Sequence, residues 1–272
     1  MIYDTFMFWN ELDMLECRLT ELDGVVDKFV LIECGETHQG AKKPSVYLPN
    51  ADRFRAWASK IEHVWVDRLE APDPFGKEHE QRERTRDGLI RLGIKPHDIV
   101  IHSDIDEIPA PATVLKVEQT LVENAGKSKL IAFNQRMFCF AVDWEHPCGW
   151  QGPVAARYKD IKSFTTMRNS RQLYGPLTVL YEAGHHMSWL GGPGPAVQKL
   201  GAFLHAEMAF MKSDISSGRH SREGYHVDGA KLSPVTVDRT WPKYVWEKKC
   251  PASWFRAHFE NLPVGPGAGT KE

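Results

Sequence analysis

Asp98-Ile99-Val100-Ile101-His102-Ser103-Asp104-Ile105-Asp106-Glu107-Ile108-Pro109 is the stretch on which the fold turns. Its first five residues form a short, deeply apolar run of the kind shown by a strand buried on both faces, and an acidic cluster follows at once. Toward the N-terminus, Ile2 to Trp9, Lys28 to Glu33 and Ile61 to Val66 read as further strands. Helical patterns lie between them. Asn10 stands as an N-cap before the acidic Glu11 and Asp13, Leu12, Leu15, Leu19 and Leu22 recur at helical spacing, and Gly24 stands where that helix would stop. Cys34 to Asp52, holding Gly35, Gly40, Pro44 and Pro49, reads as a long loop, and His79 to Leu92 as a charged helix closed by Gly93. This alternation predicts an α/β sheet with parallel crossovers. In such sheets ligands bind beyond the carboxyl ends of the strands, where the acidic cluster falls.

After Pro109 the pattern loosens. Pro111 to Asn124 is expected to be a helix, Lys129 to Asp143 a long strand or hairpin arm, and Val197 to Met211 an amphipathic helix behind the loop Gly191-Gly192-Pro193-Gly194-Pro195. No interior stretch reads as a linker, so residues 1–262 are expected to form one domain and 263–272 a flexible Gly/Pro-rich tail. With 34 Lys+Arg against 36 Asp+Glu the 272-residue chain carries a net charge of −2, which argues against a nucleic-acid binder working by bulk positive charge. Hydrophobic residues at 42% and charged residues at 26% exclude global disorder. Five cysteines without a C-x-x-C pair exclude a disulfide framework and a zinc ribbon. No apolar run approaches the roughly 18 to 20 residues of a membrane span, no signal-peptide pattern opens the chain, and no N-x-[ST] acceptor occurs. A soluble, cytoplasmic protein is the expectation.

Asp104 and Asp106, two apart at a strand end, are expected to point to one side and offer hard oxygen ligands to Mg²⁺ or Mn²⁺. Such an ion bridges a diphosphate and neutralises the charge that grows as it leaves. Neighbouring like charges at a sheet's ligand edge call for a counter-ion, although D-x-D also occurs as a plain solvated turn. His185, His186 and His205 bracket the Gly-rich loop; His205 and Glu207 do not share a helix face and do not bind one ion together. Glu207, among Leu200, Phe203, Leu204, Met208 and Met211, reads either as a partly buried carboxylate fit for general-base work or as the partner of a basic residue. Asp143 and Glu145 are the reserve candidates. Gln81-Arg82, with Arg84 and Arg86, either hold phosphate or form a solvated face with i, i+4 pairs such as Glu80 to Arg84. Trp150 and Trp189 either stack on a sugar ring or pack in the core. No P-loop, dinucleotide fingerprint, nucleophile elbow, zincin helix or kinase set is present.

Taken together, Phe6-Met7-Phe8-Trp9-Asn10-Glu11-Leu12-Asp13-Met14-Leu15-Glu16, Val26 to Glu33, Thr37-His38-Gln39-Gly40, Lys43-Pro44 and Glu80-Gln81-Arg82 resemble glycosyltransferase family 17. The resemblance runs on through Ser103 to Pro109, Gly184-His185-His186-Met187-Ser188-Trp189, and Lys199 with Phe203, His205 and Glu207, covering roughly residues 2 to 212. It implies a GT-A type nucleotide-sugar-binding fold with a mixed, mostly parallel central sheet flanked by helices. It also implies inverting transfer of a sugar, GlcNAc from UDP-GlcNAc, to a hydroxyl of a glycan or related acceptor. Carried onto this sequence, Asp104 and Asp106 serve the divalent ion and the donor, Glu33 and Thr37 lie near the nucleotide, and His186 is a further ion or phosphate contact. His185 stands where the resemblance leads one to expect an aromatic. Two other readings stay open: a metal-dependent phosphoryl or nucleotidyl enzyme using the same acidic cluster, and a non-catalytic glycan-binding relative.

Overall fold

The computed structural model describes residues 1–171, 177–202, 215 and 219–260. The four N-terminal apolar runs are the strands β1 (Ile2–Phe8), β2 (Lys28–Cys34), β3 (Ile61–Val66) and β4 (Ile99–Asp104), ordered β3-β2-β1-β4 and all parallel. Each return path carries the length a parallel crossover needs. Helix α1 (Leu12–Leu22) joins β1 to β2, a loop with a 3₁₀ segment at Leu48–Trp57 joins β2 to β3, and α2 (Pro74–Glu83) with α3 (Thr85–Arg91) joins β3 to β4. Helix α1 buries Leu15, Leu19 and Leu22 completely, and they share a core with Phe6, Phe29, Leu31 and Ile101. Each such side chain stabilises the fold by about 1.5–3 kcal/mol.

Beyond β4 the sheet turns mixed. After β5 (Glu107–Pro109), two short helices, α4 (Pro111–Val114) and α5 (Val117–Glu123), lead to β6 (Ile131–Cys139). Strand β7 (Trp144–Glu145) precedes β8 (Trp150–Arg157), which runs antiparallel between β4 and β6. Helix α6 (Phe164–Asn169), β9 (Thr178–Leu180), β10 (Gly184–Ser188), α7 (Pro193–Ala202) and β11 (Ser233–Pro234) complete the elements used below. Strand β10 pairs antiparallel with β5 and parallel with β6. The α/β class and the mixed sheet, parallel through its N-terminal half, agree with the sequence reading.

Several boundaries differ for identifiable reasons. Asn10 does not cap α1; Glu11 turns its carboxylate back to accept the N–H groups of Trp9 and Asn10 at 3.3 and 3.2 Å. The expected helix His79–Leu92 is two helices that meet at Arg84, and it begins earlier because Asp73 caps Gly76 N–H at 3.0 Å with Pro74 in the first turn. The helix expected over Pro111–Asn124 is likewise broken between α4 and α5. Helix α7 starts inside the supposed Gly/Pro loop, since Pro193 and Pro195 fall in a first turn that needs no N–H donors. The expected tail, 263–272, lies outside the described residues. No described helix is long and apolar enough to cross a membrane, and all five cysteines are free.

The interaction that joins these pieces is ionic. Arg18 of α1 is fully buried and grips Asp4 of β1 through Nε and Nη2 at 2.7 and 2.6 Å. The same guanidinium donates to Ser103 Oγ at 2.7 Å and, through Nη1, to the carbonyl oxygens of Asp104, Ile105 and Glu107 at 3.0, 3.1 and 3.0 Å. A planar fork with five donors is thereby saturated, and the whole turn between β4 and β5 hangs on it. Removing one partner of such a pair leaves a buried charge and several buried carbonyls unpaired. Arg18→Met is therefore expected to lower unfolding free energy by about 3–5 kcal/mol in a denaturant titration. A loss under about 1 kcal/mol, the range of an exposed pair, would contradict this assignment.

Candidate active site

Strand β4 ends on Asp104, Ile105-Asp106 form the turn, and Glu107 opens β5, so the acidic cluster stands at the carboxyl edge of the parallel half-sheet. Strand β10 brings a histidine to it. His186 lies in register with Glu107, and Met187 N–H donates to Asp106 O at 2.9 Å. The approach is close because of Gly184, at φ +123°, where a Cβ would meet Ile108 O at 2.2 Å.

Each carboxylate of the cluster has its own cation. Asp104 is paired with Arg168 of α6 and with Arg82 of α2, the latter at 3.3 Å. Asp106 accepts from Lys199 of α7 at 2.7 Å and has its Oδ1 3.7 Å from His186 Nε2. Glu107 accepts from Trp150 Nε1 at 2.7 Å, from Arg171 and from Asp104 N–H at 3.1 Å. Burial pushes the Asp104 carboxyl up, but Arg168 and Arg82 outweigh it and hold the group well below the usual carboxylate range. The balance is similar at Asp106, where Lys199 and His186 overcome burial and lower the carboxyl. Burial acts the other way on His186, lowering its pKa and keeping the imidazole neutral near pH 7. The sequence argument that these charges need a counter-ion is thus met in part by the chain's own guanidinium and ammonium groups. Asp104, Asp106 and His186 do not bring three ligand atoms within 4.8 Å of one another.

Two adjoining clefts open over this edge. The first is lined by Met7, Phe8 and Trp9 from β1 and its end, by Thr37, His38 and Lys43 from the β2 loop, by Glu78 and Gln81 from α2, and by Asp104, Asp106, His186 and Lys199. The second runs past Asn10, Asp13, Arg53, Leu190, Gln198 and Trp254. Trp9, Glu11, Asp106, Trp189 and Lys199 line both, so the clefts meet at Asp106.

The remaining sequence candidates divide. Thr37 lines the first cleft, with its hydroxyl accepting Ala41 N–H at 3.1 Å. Glu33 lies beneath the wall instead, fully buried, accepting from Ser45 Oγ at 2.6 Å, His63 Nε2 at 2.9 Å, Lys43 Nζ at 3.2 Å and Val46 N–H. Burial opposes ionisation there, but these donors bring its pKa down to about 2, and the loop carrying Lys43 is fastened by it. Arg82 is buried under the floor and contacts Glu78 and Asp104 rather than opening to a cleft, while Arg84 makes the helical pair with Glu80 at 3.2 Å and Arg86 donates to Lys162 O at 3.1 Å. Asp143 is bound by Arg256 and Glu145 by Arg136, and neither lines the two clefts. Trp150 stacks on His186 at 4.6 Å, whereas Trp189 lines both clefts. Glu207 and His205 lie outside the described residues. Lys199, Arg168 and Glu11 were not foreseen as site residues; Arg168 carried no recognisable signal, lying in an irregular stretch whose path over the sheet no periodicity reveals.

A model of glycosyltransferase family 17 matches residues 1–219. The human β-1,4-mannosyl-glycoprotein 4-β-N-acetylglucosaminyltransferase is 31% identical over 219 residues, covering 68% of this chain and 39% of the human protein. The rat protein of the same name is 31% identical over 149 residues, covering 51% of this chain and 26% of its own length. The chain thus spans well under half the length of the curated relatives it matches. Among solved structures, an S. aureus TarS fragment aligns over 81% of this chain and 72% of its own at 10% identity and a TM-score of 0.39.

His185 occupies the other face of β10, stacked on Phe138 at 5.6 Å and beside Trp241 at 5.5 Å. It takes the place of the aromatic that the sequence led one to expect. Burial lowers its pKa to about 4, so below the ordinary value of about 6.5 the unfolded chain binds the proton first and stability is lost as pH falls toward 4. His185→Phe is expected to remove this contribution. Its unfolding free energy should gain on the parent by about 3 kcal/mol between pH 6.5 and pH 4, measured by denaturant titration at each pH. A difference independent of pH would disprove the titration at His185.

Proposed function

Because the chain belongs to glycosyltransferase family 17, we propose that it is an inverting, metal-assisted glycosyltransferase that moves GlcNAc from UDP-GlcNAc to a hydroxyl of a glycan or related acceptor. The supporting observation is the pair of clefts that meet at Asp106, as a two-substrate transfer requires. The first cleft suits the donor, since Lys43 and Lys199 can face a diphosphate and Thr37 lies along the same wall. The second suits the acceptor, with the Trp9 and Trp189 rings available to the apolar face of a sugar.

The residues fit a divalent ion. Asp106 Oδ1 and His186 Nε2 stand 3.7 Å apart, beyond hydrogen-bond distance, and both residues line the first cleft. Burial lowers the His186 pKa, which favours the neutral imidazole that a ligand must be. Asp106 and His186 would hold the ion, with Asp104 beside them. Bound there, it would neutralise charge on the departing diphosphate.

The chain's own groups do the rest. Lys199, kept protonated because Asp106 and Glu11 outweigh burial, places a fixed positive charge where the clefts join. The acceptor oxygen attacks the anomeric carbon as the bond to the diphosphate oxygen breaks on the opposite side, and the acceptor proton passes to a carboxylate base. Glu207, the carboxylate that the sequence singles out, is assigned that role.

Two variants test the scheme. Asp106→Ala is expected to abolish Mn²⁺-dependent UDP binding in isothermal titration while the thermal midpoint moves by only a few degrees; loss of folding would make the cluster structural. Glu207→Gln is expected to retain donor binding and lose turnover, and retained turnover would remove Glu207 from the mechanism. Hydrolysis of simple phosphoesters without nucleotide binding would mark the phosphoryl-transfer alternative. Tight glycan binding with neither property would mark a non-catalytic relative.

A further inference from the structure

Away from the acidic turn, a second set of ligand-bearing side chains converges where the end of β7 meets the loop behind the helix Arg219–Glu223. His146 Nε2 is 3.2 Å from Asp228 Oδ2, and His226 Nδ1 is 2.9 Å from Asp228 Oδ1. One nitrogen of each ring and one carboxylate oxygen all lie within 4.8 Å of one another. The two rings meet edge to face at 4.9 Å. Both imidazoles are sheltered, at 6% and 14% exposure, while Asp228 at 53% leaves a way in from solvent.

The backbone holds the three in place. His146 N–H donates to Met137 O on β6 at 2.8 Å, which ties the first ligand to the sheet. His226 N–H donates to Ala230 O at 2.9 Å, Gly229 at φ +88° closes the turn, and Asp228 Oδ1 accepts Ala230 N–H at 2.9 Å. His146 Nδ1 lies between Cys148 N–H at 3.1 Å and Cys148 O at 3.2 Å, and in the tautomer that donates to the carbonyl the ring turns a free Nε2 toward an ion. His226 Nδ1, although 2.9 Å from Asp228 Oδ1, makes no aligned hydrogen bond with it.

We propose that His146 Nε2, His226 Nδ1 and the Asp228 carboxylate form a binding site for a borderline divalent cation, Zn²⁺ foremost, with water completing the shell. Two imidazoles and one carboxylate are the donor set that suits zinc, whereas a carboxylate-rich diphosphate site suits Mg²⁺ or Mn²⁺. The ion cross-links the 225–231 loop to the sheet. Its effect reaches the clefts through Trp189, which stacks on His226 at 5.9 Å, meets Phe140 at a tilt at 5.7 Å and lines both of them.

The test is calorimetric titration of the EDTA-treated 272-residue chain with ZnCl₂, together with visible absorption of the Co²⁺-loaded protein. One zinc per chain is expected, with a rise in thermal midpoint and a Co²⁺ ligand-field band of low coordination number. His226→Gln and His146→Gln should each weaken zinc binding by at least about tenfold, since even outer-shell losses reach that size. Asp228→Asn, at an exposed position where folding is not at stake, should do the same. Asp106→Asn should leave this zinc site intact. Absence of zinc binding, binding unchanged in Asp228→Asn and both histidine variants, or binding lost only in Asp106→Asn would each overturn the proposal.

Discussion

The buried pair between Asp4 and Arg18 is the constraint from which the site follows. A charge on the first strand and a charge on the first helix meet where neither touches water, and the arginine spends its remaining donors on one side-chain oxygen and three carbonyls of the β4–β5 turn. Desolvating a guanidinium is costly, and only the saturation of all its donors offsets that. The consequence is positional. The backbone of Asp104, Ile105 and Glu107 is referred to the same atoms that orient β1 and α1, so the carboxylates at the sheet edge are held by core packing rather than by a loop free to drift.

A second ionic layer, on the solvent side of that turn, determines how the acids meet a ligand. Asp104 is held between two arginines and Asp106 between a lysine and a neutral histidine, so the two carboxylates have different surroundings despite being two residues apart. Asp104 is the more fully committed to protein cations. Asp106 keeps Oδ1 turned toward His186 at more than hydrogen-bond distance, and both residues face the first cleft. The arrangement explains why a D-x-D sequence need not act as a symmetric pair: Asp104 ends the strand and Asp106 lies in the turn, and spacing alone does not decide which cations arrive from α2, α6 and α7.

That division also marks what the sequence could reveal. Local pattern exposed β1 to β4, α1 and the place of the acidic turn, because short apolar runs separated by helical repeats leave little choice of topology in an α/β sheet. Arg18 and Asp4 were visible in principle, each a lone charge within an apolar face, yet only the fold shows that they answer each other. Arg82 illustrates the opposite failure: the charged helix offered it as a phosphate holder or a solvated residue, but α2 buries it against Asp104. Lys199 and Arg168 arrive from elements more than sixty residues beyond the turn, and no periodicity specifies that contact. His185 and His186, adjacent in sequence, separate by strand alternation alone, one into an aromatic stack and one onto the site.

Strand β10 and the residue that follows it therefore do three things. His185 fills the core between Phe138 and Trp241, His186 faces Asp106, and Trp189, one residue past the strand and at φ +56°, lines both clefts while its ring meets His226 and Phe140. A non-glycine residue in that conformation costs of order 1 kcal/mol and persists only where surrounding contacts repay it. Here those contacts are the packing of the ring on His226 and Phe140. The wall that Trp189 gives to both clefts is thus backed by His226, which ties it in turn to His146 and Asp228.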